Sequence, residues 1–162
     1  DKLAFLFNQS LNPENVKYEY SKNIRPDTHL QRLLSVIPFH KSIITNAQKN
    51  HALLSMDCLG ISPFFSNLID ATQFKNMKPH PEPYHLALQS ETNSRNHREP
   101  PVSRVFFDDL VENLAYPRRL GWITVLIGQP ERYHHPDATY CFPTIYKALQ
   151  FFIDTLKLRH KV

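Results

Sequence analysis

Short apolar runs alternating with helix-patterned segments place this chain in the α/β class, as a three-layer α/β/α sandwich around a mainly parallel sheet. Two observations carry that expectation. The runs Leu3–Phe7, Ile43–Ile44, Val105–Phe107 and Ile123–Ile127 are continuously apolar, as strands buried on both faces are. The segments between them repeat apolar residues at helical spacing, as in Leu30, Leu33, Leu34 and Ile37. At 162 residues and 41% hydrophobic content, residues 1–162 are expected to form one domain with one core.

The first strand is Leu3–Phe7, followed by a polar loop from Asn8 to Asn15. Asp27 can cap a helix that carries Leu30 to Ile37 and stops before Pro38. Ile43–Ile44 forms the second strand. A helix is then expected from Asn46, with Ala52, Met56 and Leu59 on one face and Gly60 as its stop. Residues 61–69 read as loop with room for a short strand. Pro81 or Glu82 opens a helix through Leu88, and Ser90 to Pro101 is a solvent loop. Val105–Phe107 is a strand, Leu110 to Leu120 a helix, and Ile123–Ile127 another strand. Tyr140–Phe142 is a candidate fifth strand, and Ile145, Leu149, Phe152 and Leu156 mark the last amphipathic helix.

A formal charge of +4 permits an anionic partner, and a solvated basic surface explains it as well. Arg118–Arg119 and Lys157 to Lys161 are the densest basic groups. Cys58 and Cys141 lack metal-ligand spacing and read as thiols in a reducing compartment. Nine histidines show no HxH, HxxxH or HExxH pattern, and no apolar run has transmembrane length. Three glycines in all leave no Gly-rich phosphate loop. A chain opening at Asp1, without Met, is expected to be a processed or truncated product.

Chemistry concentrates where strands end. Thr45–Asn46, Lys78–Pro79 and Asp108–Asp109 each follow a predicted strand or open a helix, and in a parallel sheet those points meet on one edge. A hydroxyl and an amide can bind a phosphoryl oxygen, a lysine can neutralise phosphate, and paired carboxylates can hold Mg2+. Each part has a plainer reading: a helix cap for Thr45–Asn46, a solvated lysine for Lys78, a helix-dipole complement for Asp108–Asp109.

Taken together, these residues resemble the haloacid dehalogenase superfamily of phosphohydrolases. Ile43-Ile44-Thr45-Asn46-Ala47 is similar to its second motif, Lys78-Pro79 with the following helix to its third, and Phe106-Phe107-Asp108-Asp109 with Asn113 and Gly121 to its fourth. Arg25-Pro26-Asp27, His51 and Thr124 to Gly128 are most similar to its pyrimidine 5′-nucleotidase-like branch. The resemblance implies a Rossmann-like fold. The family inserts a helical cap after the first strand, and the roughly twenty residues from Leu11 to the helix near Leu30 are too few for one, so the cap is expected to be absent or vestigial. It implies phosphate binding by Thr45, Asn46 and Lys78, Mg2+ at Asp108 and Asp109, and Asn113 bracing the helix start.

One motif departs from the family. Its first strand ends in Asp-x-Asp, the first Asp attacking phosphorus and the second acting as general acid and base. Here Phe7 is followed by Asn8-Gln9-Ser10, which puts an uncharged amide, a poor nucleophile, at the first position. Two readings follow. In one, the chain is a non-catalytic binding or structural subunit that docks protein or RNA of a large complex, such as a mitochondrial ribosome. In the other, it is a segment of a Mg2+-dependent nucleoside monophosphate phosphatase, acting on a phosphorylated small molecule, whose Asp-x-Asp lies upstream. The expected setting is intracellular, mitochondrial or cytoplasmic.

Overall fold

The computed structural model describes residues 22–93 and 103–159. The expected strand Leu3–Phe7 and the nucleophile position Asn8 lie outside them.

Helix α1 (Thr28–Ser35) starts where Asp27 predicts, the Asp27 carboxylate accepting from the Leu30 N–H at 2.9 Å. It buries Leu33 and Leu34. Strand β1 (Ser42–Ile44) follows, then helix α2 (Lys49–Leu59), which begins three residues later than Asn46. One local and one distant contact explain this: Thr45 Oγ1 accepts the Ala47 N–H, and the Asn46 side chain is held by the Lys78 main chain, so both shape a turn. Gly60 ends α2 in the left-handed conformation at φ +71°, as a C-terminal glycine does. A 3-10 turn, Ser62–Phe64, leads into β2 (Asn67–Ile69).

Helix α3 (Glu82–Asn93) runs five residues beyond Leu88, so Ser90 is helical rather than the start of a loop. After β3 (Val105–Asp108), the single helix expected over Leu110–Leu120 is divided. Val111–Leu114 is a 3-10 turn and α4 spans Ala115–Arg119. Two causes are visible. Asp108 takes the Leu110 N–H and the Asn113 side chain, tightening the first turn. Pro117 lacks the N–H that would bond to the Asn113 carbonyl four residues back, and that carbonyl accepts the Tyr84 hydroxyl at 2.8 Å instead. Strands β4 (Ile123–Ile127) and β5 (Tyr140–Phe142) and helix α5 (Ile145–Arg159) complete the order.

Among the described residues the strand pairs are all parallel, in a two-stranded sheet, β1-β2, and a three-stranded sheet, β3-β4-β5. Side-chain alternation gives each sheet two faces. Ile43, Leu68 and Phe107 pack with α1, α2 and α5, while Val125 and Phe142 meet α5. Ile44 and Phe106 pack on the opposite side with Tyr84, Leu114 and Trp122, from the layer of α3 and α4. Helices therefore cover both faces, giving the expected three layers. No described helix is long and apolar enough to cross a membrane.

Candidate active site

The carboxyl ends of β1 and β3 carry the polar residues, and the loop before α3 reaches them. Thr45 directly follows β1, and its main-chain N–H continues the pairing with β2 through Ile69 O at 2.9 Å. Its hydroxyl oxygen accepts from Ala47, and its O–H proton has no acceptor among the described residues. A phosphoryl oxygen would be a suitable one.

Asn46 makes a two-point contact. Its Oδ1 accepts the Lys78 N–H at 2.8 Å, and its Nδ2 donates to the Lys78 carbonyl at 3.1 Å. Lys78 then extends its ammonium to Asp108 Oδ2 at 2.6 Å. Both side chains are nearly covered, at 10% and 5% exposure, and the Phe106 ring lies 5.6 Å from the Lys78 nitrogen. An ion pair this dry needs its remaining valences filled. Asp108 Oδ1 accepts from Leu110 N–H at 3.0 Å and from Asn113 Nδ2 at 2.9 Å. Asn113 is buried and fixed in turn by Tyr84 on its carbonyl. Burial, then the neighbouring Asp108 charge, pushes the Tyr84 phenol well above its ordinary range, so it stays a neutral donor.

The loop into α3 has its own anchor. Glu82 accepts the main-chain N–H groups of Lys75 and Asn76, which hold its carboxyl below the usual range. Glu82 thus ties down the segment that delivers Lys78. Neither Glu82 nor Tyr84 shows its role in the sequence: each sits in a helix start, and only the folded loop gives it a partner.

Thr45, Asn46, Lys78, Asp108 and Asn113 are thus brought together from three separate stretches. Asp109 adjoins them, exposed and with no hydrogen-bond partner among the described residues. Asn8 falls outside those residues. For a hard cation, the donor chemistry fits: Asp109 offers an open carboxylate, while Asp108 already receives three donors. No cluster of three or more His, Cys, Asp or Glu side chains is assembled among the described residues. A cation here would rest on one or two carboxylates and keep much of its water, as Mg2+ commonly does. Met77 and Leu110, which neighbour Lys78 and Asp109 in sequence, are exposed.

Comparison with known proteins bears on the fold. The YfnB protein of Bacillus subtilis, in a magnesium-bound structure, superposes with a TM-score of 0.58 at 18% identity, over 76% of this chain and 52% of that one. An HAD phosphatase from Thermococcus onnurineus superposes with a TM-score of 0.68 at 19% identity, over 91% of this chain and 67% of that one. At such identities the likeness is one of fold. In sequence, the pyrophosphatase PpaX of Bacillus pumilus is 30% identical over 100 residues, 61% of this chain. The chain spans about half the length of that relative, 46%. The family model for haloacid dehalogenase-like hydrolases matches residues 10–98, more than half of the sequence, and the chain belongs to that family.

Proposed function

We propose that this chain binds a phosphomonoester at the carboxyl edge of its sheet, as the phosphate-holding part of a phosphohydrolase-type site. The observation that carries this is the buried Lys78–Asp108 pair, braced at both ends. A lysine needed only for solubility would point to water. This one is aimed along a fixed line toward the edge where Thr45 offers a free O–H and Asp109 an open carboxylate.

In this reading the Thr45 hydroxyl donates to a phosphoryl oxygen. Lys78 turns part of its charge from Asp108 to the phosphate, and Asp108 keeps the ammonium from swinging into solvent. Asp109 would hold Mg2+, which supplies charge neutralisation on the phosphoryl oxygens when bound. Turnover needs a carboxylate nucleophile as well, and Asn8 supplies an amide at the matching position of the sequence. Binding without hydrolysis is therefore expected of this chain. The pyrimidine-nucleotidase likeness makes UMP and CMP suitable probes beside p-nitrophenyl phosphate. A role in a ribosomal assembly gains no support from the geometry or the relatives.

The test is phosphate binding by calorimetry with and without Mg2+, beside phosphate release from the three esters, with an Asp108→Asn/Asp109→Asn double variant as control. Mg2+-enhanced binding that the double variant lacks, without turnover, supports the proposal. No binding by the native chain refutes it. Release above the control overturns its non-catalytic half.

A further inference from the structure

Resting on the phosphate-binding reading, we infer that Asn46 is a positioning residue for Lys78, gripping its main chain, and takes no phosphoryl oxygen itself. The grip spans one α-carbon. Asn46 Oδ1 receives the N–H on one side of it, and Asn46 Nδ2 reaches the C=O on the other. Holding both groups fixes the two backbone torsions of Lys78, and with them the direction of its Cα–Cβ bond. A lysine side chain has four rotatable bonds and loses considerable rotamer freedom when held. Fixing its root confines the ammonium to a small arc, with Asp108 at one end.

The contact is long-range, joining residues 32 apart, and connects the end of β1 to the loop before α3. It survives rearrangement at the tip. If a phosphate shares or displaces the Lys78–Asp108 bond, the amide grip remains and Lys78 pivots about an unmoved root. The side chain that would otherwise face the ligand is turned sideways to a neighbouring backbone. Thr45, one residue earlier, keeps a free O–H proton for the ligand.

A double-mutant cycle on the full chain decides between the two roles, with inorganic phosphate as probe in the presence of Mg2+. Lys78→Ala should weaken phosphate binding by about 30-fold or more, and Asn46→Ala by roughly tenfold, as loss of a charged contact and of its alignment would. The double variant should bind no more weakly than Lys78→Ala alone, because Asn46 acts only through that lysine. Multiplied losses, about 300-fold or more, would show Asn46 acting on phosphate directly and overturn the inference. Hydrogen exchange at the Lys78 amide gives a readout free of phosphate. Protection should fall in Asn46→Ala and persist in Asn46→Asp, which keeps the acceptor. Unchanged protection in Asn46→Ala would also overturn the inference. If the native chain binds no phosphate, the binding proposal fails alone, and amide exchange still judges the grip.

Discussion

Two lysines are drawn into this fold, one at the amino end of β1 and one beside the carboxyl end of β3, and they differ in what holds them. Lys41 sits at the amino end of β1, its ammonium donating to the Ile37 and Phe39 carbonyls at 2.6 and 2.9 Å. Those carbonyls belong to the loop between α1 and β1, so Lys41 pins that loop, and burial pushes its pKa down. Lys78 sits at the carboxyl end and donates to a carboxylate that is itself held by a backbone N–H and an asparagine. A neutral loop carbonyl carries no charge for an incoming anion to compete with, and its place is set by the backbone. A carboxylate can share its cation with an incoming anion. The same residue type is therefore structural at one end and available for ligand at the other.

The largest expected effect breaks the comparison at Lys78. Removing one member of a buried pair strands the other charge, so Lys78→Ala or Asp108→Ala should cost about 3–5 kcal/mol of stability. Lys41→Met leaves neutral carbonyls that water can reach, and should cost roughly 1 kcal/mol. Urea unfolding of both variants measures the gap, and equal losses would erase the distinction. The double change Lys78→Met/Asp108→Leu should cost less than the two single changes combined, since neither charge is left alone.

Next in size is Tyr84→Phe. It deletes the O–H that satisfies the Asn113 carbonyl freed by Pro117, at an expected cost of about 1–3 kcal/mol. A loss of phosphate affinity should accompany it, because Asn113 would hold Asp108 less firmly. Unchanged affinity at reduced stability would confine Tyr84 to the fold. Gly60→Ala, away from the site, should cost about 1–2 kcal/mol through its positive φ, and more because its Cβ would displace the Gln31 amide that donates to the Leu59 carbonyl, and leave phosphate binding untouched.

Local signals were the legible ones. The Asp27 cap, the Gly60 stop and the β3 run could each be read from a few neighbouring residues, and the gathering of Thr45, Lys78 and Asp108 at strand ends followed from the parallel strand order. Pairings between distant residues were not. Asn46 looks like a helix start because its preference for capping is local, whereas its partner is the Lys78 backbone 32 residues on. Asp108 and Asp109 read alike as adjacent acids, yet the strand turns one inward to Lys78 and leaves the other in solvent. The division of the Leu110–Leu120 helix hung on Pro117 together with a tyrosine from α3, and only Pro117 is visible nearby.

The smallest effect sharpens the structural side of the comparison, at the other end of α1. Asp27 caps the helix through Leu30 and also accepts from the Tyr146 hydroxyl of α5 at 2.5 Å. The Leu30 amide, then Tyr146, hold its carboxyl below the usual range. A carboxylate whose folded pKa is lowered adds stability that is complete above its unfolded value and lost as pH falls through the folded one. Asp27→Asn keeps a capping oxygen and removes the charge, so its cost at neutral pH should be under about 1 kcal/mol. That cost should shrink below about pH 4, where the native carboxylate also takes up a proton. The same contact raises the Tyr146 phenol, whose contribution is complete below its unfolded pKa and fades as pH rises through the folded value. Melting curves of the native chain and Asp27→Asn should thus differ most near neutrality and converge at both extremes. A constant offset from acid to alkali would mean that shape alone, and not charge, joins α1 to α5.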